Sequence, residues 1–290
     1  MEKVFDFIDK SGAIYVKELQ ELLRQPSIST DPDGIMETVA IVKGLLEGIS
    51  RHVEIIQPYQ GGAPILYAKI SGETGKTIVF YNHYDVRPPG PLSEWDYLPF
   101  SATIDAGKIY ARGAADGKGD LVARVKAVEA FIKVREALPL TVKFIVEGEA
   151  RIGSPALVWV ASRRQEIFHA DACIYATGSR DDEGRLELTF ANHTRPANSD
   201  SESQIASLVC DAVTEFYQRD PLVSLGSRNI NPVIRIVSQL GIPPVGLSIA
   251  NNDSRAADSN ENINTADFVD GIKLTAAIMH KLAGGGKASE

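Results

Sequence analysis

The chain has 290 residues, 44% of them apolar and 23% charged, and a net charge of −8. That length buries one large core or two modest ones. The acidic balance, with no Lys/Arg run against it, excludes a nucleic-acid surface, and the longest apolar stretches are strand-sized, so no membrane partner is expected. The start, Met-Glu-Lys-Val, has no apolar signal region, and Cys173 and Cys210 stand isolated in apolar surroundings. A cytoplasmic, reducing location is the expectation.

In chain order, an amphipathic pattern (Val4, Phe5, Ile8, then Tyr15, Val16, Leu19, Leu22, Leu23) predicts a helix over 2–24. Pro26 to Ser29 ends it, and a second helix is expected over 35–48. Strand-like runs follow at 53–58, 65–70 and 77–81. A helical run over 121–134 precedes an apolar strand at 140–146. Ser154-Pro155 then opens a helix, with Ser as cap and Pro in the first turn. Strands are expected at 171–176 and, more weakly, at 185–190. Alternation resumes with segments at 203–216, 232–240, 245–249 and 267–282. Strands alternating with helices imply an α/β fold: a mixed, mostly parallel sheet with helices on both faces, a three-layer sandwich. Residues 1–283 read as a single domain, and 284–290, Gly-rich and polar, as a disordered tail.

The most informative stretch is Tyr81-Asn82-His83-Tyr84-Asp85-Val86, followed by Trp95, Pro99-Phe100 and Gly113-Ala114-Ala115-Asp116-Gly117-Lys118-Gly119. A His and an Asp two residues apart on a strand point to one side, so Asp85 can fix the ring of His83. Asp116 sits in a Gly-rich turn before a helix, where a carboxylate can bridge metals over the carboxyl ends of a parallel sheet. This arrangement resembles the zinc-dependent aminoacylase/carboxypeptidase family, which includes carnosinases and succinyl-diaminopimelate desuccinylases. The resemblance implies a phosphorylase/hydrolase-like fold, with His83 as a zinc ligand, Asp85 as its orienting carboxylate and Asp116 as the bridging ligand.

Other positions depart from the family pattern. The third motif usually reads Glu-Gly-Glu-Glu-Glu-Ile-Gly-Ser, and here it is Glu147-Gly148-Glu149-Ala150-Arg151-Ile152-Gly153-Ser154. Anchored on Ile-Gly-Ser, the resemblance places the general base at Ala150 and a metal ligand at Arg151. The alternative register makes Glu149 the base. The fourth motif's Asp falls on Thr177, and the fifth motif's His falls on Ala257, while Asn260-Glu261-Asn262-Ile263 is kept. A catalytic zinc usually has three protein ligands, and only His83 and Asp116 remain. Arg151 would aim a positive charge at Asp116; a unit-charge pair at 4 Å is worth about 4 kcal/mol at an effective dielectric near 20. The expected cofactor is none, or weak zinc at most.

The family also inserts a lid and dimerisation domain of roughly a hundred residues, a small domain by size, where this chain has only the polar stretch 191–202. Four positions changed among kept neighbours, together with an excised lid, imply an engineered, metal-free, monomeric scaffold without native peptidase activity. One alternative is a redesigned esterase-like hydrolase acting on a small molecule, with Cys173 or a Ser as nucleophile and His83 or His193 as base. Another is a residual single-zinc hydrolase.

Overall fold

The structure is a computed structural model that describes residues 1–178, 180–190, 199–225 and 231–284. The chain opens with α1 (Glu2–Arg24), whose buried stripe of Val4, Ile8, Tyr15, Leu19, Leu22 and Leu23 follows the helical period. Next come α2 (Pro32–Glu47), with proline in its first turn, then β1 (Val53–Ile56), β2 (Ile65–Ile70) and β3 (Thr77–His83). Two short strands, β4 (Thr103–Asp105) and β5 (Lys108–Tyr110), lead into α3 (Lys118–Arg135) and β6 (Thr141–Glu147). Then follow α4 (Pro155–Ala161), β7 (Ala172–Tyr175), β8 (Glu187–Phe190), α5 (Ser199–Tyr217) and β9 (Leu222–Leu225). The chain ends with α6 (Pro232–Gln239), β10 (Pro244–Leu247), β11 (Asn262–Asn264) and α7 (Thr265–Leu282).

The main sheet has the order β1-β2-β6-β3-β7-β10-β8-β9. Its centre, β6-β3-β7-β10, is parallel, while β1 against β2, β2 against β6 and β10 against β8 are antiparallel. Alternation along β3 divides the core. Ile78 and Phe80 join α1, α3 and α7 on one face, and Val79 and Tyr81 join Leu157, Val233 and Val237 from α4 and α6 on the other. The expected three-layer α/β sandwich is what forms. Helix α3 is buried almost all round, its charged Lys118, Asp120, Arg124 and Lys126 included, because it lies between α1 and α7 and against β3. A small sheet, β11-β5-β4, ties the segment after Asn260 to the turn before α3.

Three expectations are corrected. Helix α2 begins at Pro32, not residue 35, because proline is favoured in a first turn. Helix α5 begins at Ser199, inside the stretch expected to be loop, since Ser-Asp-Ser-Glu is polar yet also a helix-opening composition. The short strands β4, β5, β9 and β11 go beyond the strands expected from the sequence. Residues 191–198 and the tail from 285 onward lie outside the described residues.

Candidate active site

All four central strands deliver their carboxyl ends to one edge of the sheet, where loops can converge on a ligand. There the residues after β3, β6, β7 and β10 surround a cavity of about 660 Å³, whose wall includes His83, Asp116, Arg151, Thr177, Ser248 and Ala257. The residues read from the sequence as one site therefore do converge. Gly117, at φ +113°, makes the close approach possible: a Cβ there would lie 2.4 Å from the His83 ring.

Asp85 acts differently from a simple ring-orienting carboxylate. His83 Nδ1 is 2.9 Å from the Asp85 carbonyl oxygen and 3.4 Å from its carboxylate. That carboxylate accepts hydrogen bonds from Ser29 Oγ (2.7 Å) and from the backbone N–H groups of Arg151 (2.8 Å) and Ala150 (3.2 Å). The fully buried Asp85 thus clamps the Ala150–Arg151 turn. Burial opposes its charge, but His83 and these donors hold its pKa below the usual range.

Arg151 fills the place between the two remaining donors. Its Nη2 lies 2.6 Å from His83 Nε2 and forms an ion pair with Asp116 Oδ1. Burial works against the Asp116 charge, yet His83, Arg151 and Arg87 outweigh it and bring the carboxyl down to about 2. Burial and the Arg151 charge resist protonation of His83, whereas Asp116 and Asp85 favour it, with a net rise to about 9. A proton on Nε2 and the guanidinium contact exclude each other, because the contact requires the Nε2 lone pair. A ring raised to about 9 is protonated at neutral pH, and that protonation would displace the guanidinium from Nε2. The 2.6 Å contact is the one the unprotonated ring makes, with Nδ1–H directed to Asp85.

The two carboxylates of the Glu147–Ser154 segment are both buried, and neither is in the cavity wall. Glu149 accepts from Tyr59 Oη, Ala63 N and Ala156 N, each at 2.8 Å, and so caps α4. That geometry favours the register anchored on Ile-Gly-Ser, with Ala150 at the base position. Ser154 is the residue before α4, but its hydroxyl donates to Glu147 (2.7 Å) and makes no cap hydrogen bond. Glu147 also accepts from Tyr81 Oη, and burial pushes its pKa up to about 7.

Residues 79–281 match peptidase family M20/M25/M40. The chain belongs to that family. It is 32% identical over 183 residues to the Beta-Ala-His dipeptidase of Mus musculus, a match covering 58% of this chain and 37% of the relative. It is 36% identical over 153 residues to the succinyl-diaminopimelate desuccinylase of Xanthobacter autotrophicus, covering 51% and 40%. These matches thus span well under half of each relative's length. In fold, it superposes on an M20 family metallo-carboxypeptidase from Sulfolobus solfataricus with TM-score 0.81 at 21% identity, covering 93% of this chain and 99% of that one. It superposes on human carnosine dipeptidase 1 with TM-score 0.83 at 16% identity, covering 98% of each.

The zinc that the family resemblance implies does not fit these residues. Arg151 occupies both donors that are kept, and the other ligand positions present only the Thr177 hydroxyl and the Ala257 methyl. Among the described residues, no group of three His, Cys, Asp or Glu side chains is arranged to hold a metal ion.

Of the remaining candidates, Cys173 is fully buried in the core beneath α4 and α6, and burial raises its thiol to about 12. It is not in the cavity wall, and a buried, protonated thiol is inert. His193 lies outside the described residues.

The site also uses residues that periodicity does not single out. Glu261, fully buried, accepts from Ala115 N (3.0 Å), Asp116 N (2.9 Å) and Arg112 (2.9 Å), and so sets the turn carrying Asp116. Arg112 in turn lies 5.2 Å from the Trp95 ring centroid. The Lys118 ammonium reaches the carbonyls of Leu22 (3.0 Å) and Gln25 (2.7 Å), and burial lowers its pKa to about 7. The kept Trp95 and Asn-Glu-Asn segment are the sequence signal for this scaffold.

Proposed function

We propose that the chain is a catalytic-type M20 domain that works without zinc and does not carry out metal-dependent peptide hydrolysis. One observation carries this reading: a protein cation, Arg151, takes both donors on which metal binding would depend. A zinc ion there would have to displace a guanidinium from an ion pair and would still find two ligands where three are usual. A residual single-zinc site is therefore the weaker reading. The pattern of replacements at Ala150, Arg151, Thr177 and Ala257 among kept neighbours, with only about a dozen polar residues at 191–202 where the family resemblance expects a lid, supports deliberate removal of the site and of a lid. On this reading residues 1–283 are one domain and a monomer.

Metal analysis after dialysis against micromolar zinc tests it. The parent protein should retain well under one equivalent. The variant Ala150→Glu, Arg151→Glu, Thr177→Asp, Ala257→His should bind zinc at two sites, because the donors return and the positive charge is gone. Two tightly held equivalents on the parent, or no gain in the variant, would overturn the reading.

A further inference from the structure

The cavity carries a net positive lining. Among its described lining residues the acidic group is Asp116 alone, set against Arg87 and Arg151. Arg151 spends only Nη2 on His83 and Asp116, so its Nε and Nη1 donors are without partners among the described residues. Its side chain keeps 20% exposure. Arg87 is exposed, makes no ion pair among the described residues, and stands close enough to act on Asp116. Beside them is Asn82, a lining residue only 1% exposed, whose amide nitrogen and oxygen both lack a hydrogen-bond partner among the described residues. A buried amide left unpaired costs free energy unless something from the cavity meets it. Helix α6 also opens into this wall at Asn231-Pro232, bringing the positive end of its dipole.

We infer that this cavity is a binding site for the anionic group of a small organic molecule, a carboxylate or a phosphate, held by the guanidinium groups of Arg151 and Arg87 with the Asn82 amide. The inference rests on the metal-free reading and extends it: replacing a metal ligand by arginine inverts the charge of the ligand the site accepts. A guanidinium is planar, permanently charged and weakly hydrated, which suits it to oxyanions in a partly buried place. The cavity is large enough for a ligand with a body beyond its charged group, and Thr177, Ser248 and Asn231 line the space around it.

The test is calorimetric titration of the full chain at low ionic strength with inorganic phosphate and, separately, with succinate. One saturable site is expected, and the tighter of the two anions identifies the headgroup. Arg151→Met should weaken binding at least about tenfold, the loss of a charge-assisted hydrogen bond. Arg87→Gln should weaken it several-fold, and because Arg87 is exposed this variant keeps the fold and decides the matter should Arg151→Met fail to fold. No saturable binding up to about 10 mM, or affinities untouched by both substitutions, overturns the inference. A parallel zinc titration separates the two readings. Stoichiometric zinc on the parent sinks the metal-free reading itself, whereas absence of both zinc and anion binding sinks only this inference.

Discussion

Single residues decide what this M20 domain can do, and the decisive ones sit on a strand end and two turns. His83, Asp85 and Asp116 are legible because their spacing ties them to a strand and a Gly-rich turn. Arg151 is legible because its charge stands where the neighbouring motif residues demand a ligand. How Asp85 divides its work is not, because backbone donors leave no mark in a one-letter pattern. Glu147 meets the same limit: nothing in the motif tells that it is buried with one carboxylate oxygen unpartnered among the described residues. Burial lifts its pKa from 4.5 to about 7, with Asp85 adding to the effect against the pull of Tyr81 and Ser154. A raised carboxyl binds its proton more tightly in the folded state, so its contribution to stability is full below pH 4.5 and is lost as pH rises through about 7. Glu147→Gln keeps the acceptor oxygen and removes the charge. Between about pH 5 and 8 its stability should rise relative to the parent, by about 1.4 kcal/mol for each pH unit that separates the folded from the unfolded pKa. Urea midpoints at both pH values give the answer, and parallel curves for the two proteins would contradict the assignment.

At the level of elements, legibility follows length. Helices α1 and α7 carry enough turns for the period to show, whereas strands β3 and β6, buried on both faces, are legible as short, largely apolar runs rather than by alternation. The three-residue strands β4, β5 and β11 are too short for either, and tertiary pairing alone defines them. The β2–β6 pairing offers a sharp test of how tightly neighbouring segments approach. Beyond β2, Gly72 bridges to Leu138, and a Cβ on it would lie 2.1 Å from the Leu140 carbonyl carbon. Backbone atoms there cannot rotate aside as a side chain could. Gly72→Ala should therefore destabilise the domain by about 1–3 kcal/mol, the usual range for overpacking. Gly75→Ala, in the same turn but with no described atom within 4 Å, should be near neutral. Equal denaturation midpoints for the two variants would mean that the β2–β6 crossing is looser than described.

For the whole molecule, the layer order is legible from the alternation of elements, whereas the state of association depends on surfaces that no period describes. Large exposed apolar side chains include Ile14 on α1, Met36 on α2, Ile55 on β1, Ile104 on β4, Val158 on α4 and Val223 on β9, with Tyr59, Leu92, Leu98 and Ile152 between the named elements. Singly scattered groups of this kind need no partner, and a net charge of −8 makes copies repel. On the proposed reading, the lid to which the family resemblance assigns dimer contacts is absent, with residues 191–202 standing in its place. Light scattering should accordingly give a mass near 31.4 kDa. The sheet edge is the place where this expectation is most exposed to failure. Among the described residues, strand β9 ends the sheet, pairs on one side with β8 only, and shows Val223 at 53% exposure. An open edge of that kind is a template for pairing with a second copy. A doubled mass would thus point to β9, and Val223→Lys, which places a charge on that edge, should return it to the monomer value. A dimer that survives Val223→Lys would move the contact elsewhere and count against a lid-based account of association.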